Sequence, residues 1–118
     1  MDLRTAQDNM SAFETTLCLV GHTHIPCVFQ MESDHPQSTR LSLLSPGEAY
    51  FFTRKAIINP GSVGQPRDHD PRSAYMIYDD ETNQWTARRI AYDFEGVQNR
   101  IRKAGLPERH ASRLAQGW

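Results

Sequence analysis

The stretch that decides the reading is Leu17-Cys18-Leu19-Val20-Gly21-His22-Thr23-His24-Ile25-Pro26. The apolar run before Gly21 is too short for a helix and reads as a buried strand over 16–20. Gly21 permits a tight turn or a close approach of backbone to a ligand. Pro26 cannot join a ladder and biases Ile25 away from helix, so the strand has ended and a loop has begun. In extended backbone, residues i and i+2 point to one side, so His22 and His24 are expected to share a pocket. Two imidazoles at a strand exit suit a metal site; two polar residues of a surface loop is the competing reading.

Further donors must come from elsewhere. Cys18 and Cys27 flank the pair and offer one alternative, a closed tetrahedral zinc site. Against it, an extended strand separates Cys18 from His22 by roughly 13 Å at about 3.3 Å per residue. The expected role of both thiols is apolar packing.

Outward from this loop, the chain reads as strands followed by helices. An arm or short helix over 2–15 has Asp2 as its cap. Strands are expected at 27–31, 41–44, 49–53 and 55–59, then a hairpin of 73–78 with 84–92. Asp93 caps a helix over 94–104 that stops at Gly105, and a second helix follows Pro107. Between strands lies Asn59-Pro60-Gly61-Ser62-Val63-Gly64-Gln65-Pro66-Arg67, opening a proline- and glycine-rich loop that runs to residue 73. Loops this long usually carry function. Its free N–H groups and the planar fork of Arg67 can hold an anion; a structural turn with an exposed arginine is the alternative. Asp68, His69 and Asp70 read as solvated, and Ser62 lacks a nucleophile elbow.

The 118 residues match one domain in size, with 38% hydrophobic residues and a net charge of -1. The expected divisions are an arm over 1–15, strands and site loops over 16–92, and a helical tail over 93–118. Near-neutral charge gives no case for nucleic-acid or membrane binding. No apolar run approaches the roughly 20 residues of a membrane span. The first residues are too polar for a signal peptide, and two cysteines make no disulfide framework, so a cytoplasmic protein is expected.

Gly21-His22-Thr23-His24, followed by Asn59-Pro60-Gly61-Ser62 and Arg67, resembles the C-terminal half of a calcineurin-like metallophosphoesterase of the small bacterial and archaeal phosphodiesterase branch. Tyr75 to Asp79 and Ala104-Gly105-Leu106-Pro107 are similar to the same branch. The resemblance implies an α+β fold, the C-terminal portion of a four-layer αββα sandwich. It implies two divalent metal ions (Mn, Fe, Ni or Zn), one bound by His22 and the other by His24. Gly21, Asn59, Gly61, Ser62 and Arg67 would form the loops beside that site, with Arg67 a substrate contact. The family reaction is in-line attack on a phosphoester by a metal-bridging hydroxide. The family's Asp-x-His, Gly-Asp and Gly-Asn-His-Asp motifs do not occur in this sequence. A fragment inactive alone is therefore expected, whose partners would be a phosphoester substrate and the missing N-terminal half or a second copy. A non-catalytic interaction module, with apolar surface at Tyr50–Phe52 and Ile57–Ile58, and a small metal-binding protein are the rival expectations.

Overall fold

A computed structural model describes all residues from Met1 to Trp118. Helix α1 (Leu3–Asn9) is capped by Asp2, whose carboxylate accepts from Thr5 N at 2.8 Å. Strands β1 (Leu17–Leu19), β2 (Cys27–Met31), β3 (Thr39–Leu43) and β5 (Ala56–Asn59) form one sheet in the order β1-β5-β2-β3. Strands β4 (Ala49–Tyr50), β6 (Ser73–Asp79) and β7 (Gln84–Ile90) form a second sheet in the order β4-β7-β6. The first sheet is mixed, since β1 runs parallel to β5 while β2 is antiparallel to both its neighbours; the second is wholly antiparallel. Helices α2 (Phe94–Lys103) and α3 (Glu108–Gln116) complete the chain, giving an α+β fold with two C-terminal helices.

The central strand β5 explains the layering. Ala56-Ile57-Ile58-Asn59 is buried throughout, because both faces of the sheet are covered. Ile57 faces Phe29, Cys27 and Met31, and beneath them Ala6 and Met10 of α1. Ile58 faces the other way, with Val28 and Ala56, onto Phe52, Leu44 and Ala87 of the second sheet region. The expectation of an exposed Ile57–Ile58 surface is thus overturned: the residues are 1% and 0% exposed, since β5 lies between α1 and the second sheet. At 49–53 the strand is only two residues long, because Phe52 turns inward to 5% exposure while Phe51 stays 58% exposed.

Apolar surface remains elsewhere. Leu19 on edge strand β1 is 60% exposed, and Ile77 and Ile90 on the outer face of the second sheet are 49% and 55% exposed. The radius of gyration is 16.3 Å, against about 13.5 Å for a compact domain of this length. The chain is therefore elongated, with extents of 51 × 31 × 20 Å.

Three ties fix the loop after β5 at one end of the sheets. Arg89 of β7, only 5% exposed, reaches into the loop after β5 and is engaged by Asp68 and Asp70. Its Nη1 also donates to Arg72 O at 2.8 Å. Asp68 and Asp70, expected to be solvated, instead anchor the loop through a nearly buried guanidinium. The Tyr92 hydroxyl adds a third tie, donating to Gly64 O at 3.0 Å.

Candidate functional site

The parallel pair β1 and β5 ends at one edge, and the two loops that leave these strands meet there. Asn59, the last residue of β5, is 2% exposed and joins them. Its Nδ2 donates to Gly21 O at 3.1 Å and to the Thr23 hydroxyl at 2.8 Å. Its Oδ1 accepts from Gly61 N at 3.0 Å. One buried amide uses both donors and its acceptor, and so sets the loop of residues 21–26 against the loop of residues 60–72.

The backbone between the histidines is not extended. His22 and His24 both occupy the left-handed region, at φ 74° and 62°. The alternation argument therefore does not describe this segment, because it holds only for extended chain. Thr23 N donates to Gly21 O at 2.9 Å, closing a tight turn between the two rings. Non-glycine residues in this region cost on the order of 1 kcal/mol each. That strain falls on the two histidines, whereas Gly21 itself has no left-handed φ and open space around its α-carbon. The freedom expected of Gly21 is not used; the requirement for glycine lies at Gly61. There φ is +95°, and a β-carbon would come within 2.6 Å of Ala74 Cβ and 3.3 Å of Pro26 Cβ.

His24 is oriented by the second loop. Its Nδ1 lies 2.7 Å from the carbonyl oxygen of Gln65. A carbonyl can only accept, so Nδ1 carries the proton and Nε2 keeps its lone pair. A backbone carbonyl that holds one ring nitrogen in this way fixes the ring's orientation and leaves the other nitrogen turned outward, as in metal-binding histidines. Arg67 N in turn donates to His24 O at 3.3 Å. Ser62 holds the loop's own turn, its Oγ accepting from Gln65 N at 3.0 Å. His22 is exposed at the turn's outer side.

No group of three or more His, Cys, Asp or Glu side chains comes together with metal-ligand geometry. Cys27 and Cys18 pack in the apolar cluster with Ala6 and Met10 of α1. Burial pushes the Cys27 thiol up, which disfavours the thiolate that zinc needs. The residues present do not fit a closed zinc site, and no third His, Cys, Asp or Glu side chain joins His22 and His24.

Beside the turn is a cavity of about 350 Å³ lined by Thr23, Ile25, Arg67, Arg113 and Trp118. Arg113 and Trp118 come from the far end of the chain and carry no local sequence signal. The α3 cap brings them there: Gly117, at φ +64°, accepts from His69 N at 2.9 Å, and a β-carbon on it would fall 2.7 Å from Asp70 N.

No protein-family model matches the chain. It is 38% identical over 102 residues to an uncharacterized protein, MJ0912, of Methanocaldococcus jannaschii, a match that covers 86% of this chain and 39% of that protein. It superposes on the crystal structure of a metallophosphoesterase from Sphaerobacter thermophilus with a TM-score of 0.91 and 40% identity, covering 99% of this chain and 48% of that one. The chain spans less than half the length of either relative. By sequence and by fold it is a partial metallophosphoesterase-type region.

Proposed function

We propose that this region supplies His22 and His24 to the dinuclear metal centre of a metal-dependent phosphoesterase, one imidazole to each metal. The observation that carries the reading is the 2.7 Å contact between His24 Nδ1 and Gln65 O, which leaves Nε2 as the only free lone pair on that ring. A bound divalent cation of this kind (Mn, Fe, Ni or Zn) polarises the phosphoryl oxygens and makes water nucleophilic near neutral pH. The chain's own residues hold the geometry. Asn59 fixes the turn on which both rings stand. Gln65 selects the His24 tautomer. Arg67 lies in the cavity beside them and matches the oxygens of a phosphoester substrate.

Two imidazoles without a carboxylate bind a divalent metal weakly and hold no bridging ligand. These 118 residues are therefore expected to bind Mn²⁺ or Zn²⁺ through the histidines yet to hydrolyse bis-p-nitrophenyl phosphate at the background rate. Calorimetric titration with Zn²⁺ of the wild type, His22→Ala and His24→Ala tests the ligand assignment. Binding that both variants retain unchanged would sink it. Metal-dependent turnover by the chain alone would overturn the claim that further ligands are needed.

A second reading, that the region also serves as an interaction module, is favoured by exposed Leu19 on edge strand β1. An unpaired strand edge with apolar side chains accepts another strand. Light scattering after size exclusion separates the readings: a strict monomer across the concentration range argues against self-association through this edge.

A further inference from the structure

We propose that the cavity beside the histidine turn is a nucleotide-type substrate pocket, in which Arg113 and Arg67 hold a phosphate and Trp118 stacks on a planar ring attached to it. The proposal rests on the phosphoesterase reading for its role, since the cavity shares Thr23 with the turn that carries the metal ligands.

The charge arrangement comes first. Arg40, Arg54, Arg72, Arg89 and Arg102 all pair with carboxylates. Arg4, Arg67, Arg88, Arg100, Arg109 and Arg113 pair with none, and of these Arg67 and Arg113 face one cavity. Between them stands a single neutral side chain, the Gln65 amide. In one orientation its oxygen accepts from Arg67 Nη2 at 3.3 Å. Turned over, it accepts from Arg113 Nε and, at 2.7 Å, from Arg113 Nη2. One amide oxygen cannot satisfy two guanidinium forks at once, so donors are left over on the cavity wall. An oxyanion with several acceptor oxygens fits that need, and phosphate matches the fork bidentately.

The second feature is the indole. Trp118 is 63% exposed and lines the cavity with Ile25. Its position is fixed from behind, because Trp118 N donates to Arg113 O at 3.1 Å and Gly117 leaves no room for a β-carbon against Asp70. An aromatic face held next to two unpaired guanidiniums selects a ligand with both an anion and a flat ring, since every base offers a π-face for stacking. The larger cavity, of about 700 Å³ near Arg54 and Lys55, lacks this character. There Arg54 is paired with Asp34 at 2.6 Å, and Lys55 Nζ donates to Met10 O at 3.1 Å.

The test titrates the 118-residue chain with AMP, inorganic phosphate and adenosine in the presence of EDTA, so that no metal takes part. Calorimetry reads each affinity. AMP is expected to bind roughly tenfold or more tightly than either half-ligand. Arg113→Gln should weaken AMP and phosphate roughly tenfold and leave adenosine unchanged. Trp118→Leu should weaken AMP and adenosine and leave phosphate unchanged, while Trp118→Tyr restores most of the loss. Far-UV circular dichroism checks that each variant is folded, and Arg113→Lys, which keeps the charge without the fork, serves if Arg113→Gln does not fold. Equal binding of AMP and phosphate overturns the ring assignment, and AMP binding indifferent to both substitutions overturns the pocket. The metal titration of His22 and His24 variants is independent of these results, so failure of the pocket and failure of the phosphoesterase reading are told apart.

Discussion

Asn59 Nδ2 and the Thr23 hydroxyl lie 2.8 Å apart, joining the end of β5 to the turn between His22 and His24. The same amide bonds Gly21 O and Gly61 N, so replacing it strands three polar groups, two of them on the backbone. Each unsatisfied buried group costs about 1–3 kcal/mol, reduced where water can enter. Asn59→Ala is expected to lower stability by about 2–4 kcal/mol in urea unfolding. Thr23→Ala, which removes one of the bonds, should cost about 1 kcal/mol or less. A result in which both variants unfold at the wild-type midpoint would remove Asn59 from its joining role.

The two glycines at this site predict opposite outcomes for one chemical change. Gly61→Ala places a methyl 2.6 Å from Ala74 Cβ at φ +95°, against a strand that cannot move aside. Strain and overpacking together are expected to cost about 2–4 kcal/mol. Gly21→Ala meets nothing within 4 Å. It should lie within about 0.5 kcal/mol of wild type, on the stabilising side if anything, because alanine narrows the unfolded ensemble. Thermal unfolding of the pair decides it, and equal losses at both positions would contradict the geometry.

Stability should also fall at acid pH through Asp70. The Arg72 guanidinium bonded to it holds its carboxyl down from 3.8 to about 2, with Arg89 contributing at longer range. A carboxylate whose folded value is depressed adds stability above its unfolded value, and that stability is lost as pH falls from about 4 through about 2. The carboxylate is 27% exposed, so screening reduces its worth to on the order of 1–2 kcal/mol. Unfolding midpoints measured from pH 5 to pH 2 should fall more steeply in the wild type than in Arg72→Ala. Parallel curves would mean that this ion pair contributes nothing measurable.

Much of the frame was legible in the sequence for local reasons. Lys-Ala-Ile-Ile-Asn reads as a strand and forms one, and Asp93 caps α2, accepting from Gly96 N at 2.8 Å. Gly105 ends the same helix at φ +68°, as its position implies. The site was legible only in part. His22, His24 and Asn59 announce themselves by spacing and by the turn residues around them. The left-handed backbone of the histidines does not, because the turn they form is tied down by Asn59 and by Gln65 O, both distant in sequence. Asp68 and Asp70 look solvated until Arg89, some twenty residues on, is folded onto them. Arg113 and Trp118 reach the cavity only through the close contact of Gly117 with Asp70, a tertiary feature with no periodicity to mark it.

The strain at His22 yields the last prediction. His22 sits at φ 74°, is exposed, and makes no hydrogen bond through its ring that would repay the conformation. Its backbone cost is on the order of 1–2 kcal/mol, while glycine's extra freedom in the unfolded chain costs roughly 0.5–1 kcal/mol. The first effect is larger, so His22→Gly is expected to stabilise the metal-free chain by about 0.5 kcal/mol. His22→Ala keeps the strain and should be less stable than His22→Gly by about 1 kcal/mol. Both substitutions should weaken Zn²⁺ binding equally, since both remove the imidazole. A gain in stability joined to a loss of metal affinity is the pattern of a residue held in a strained conformation for its ligand role. If His22→Ala proves as stable as His22→Gly by chemical unfolding, the turn relaxes at no cost and the strained conformation has no bearing on the site.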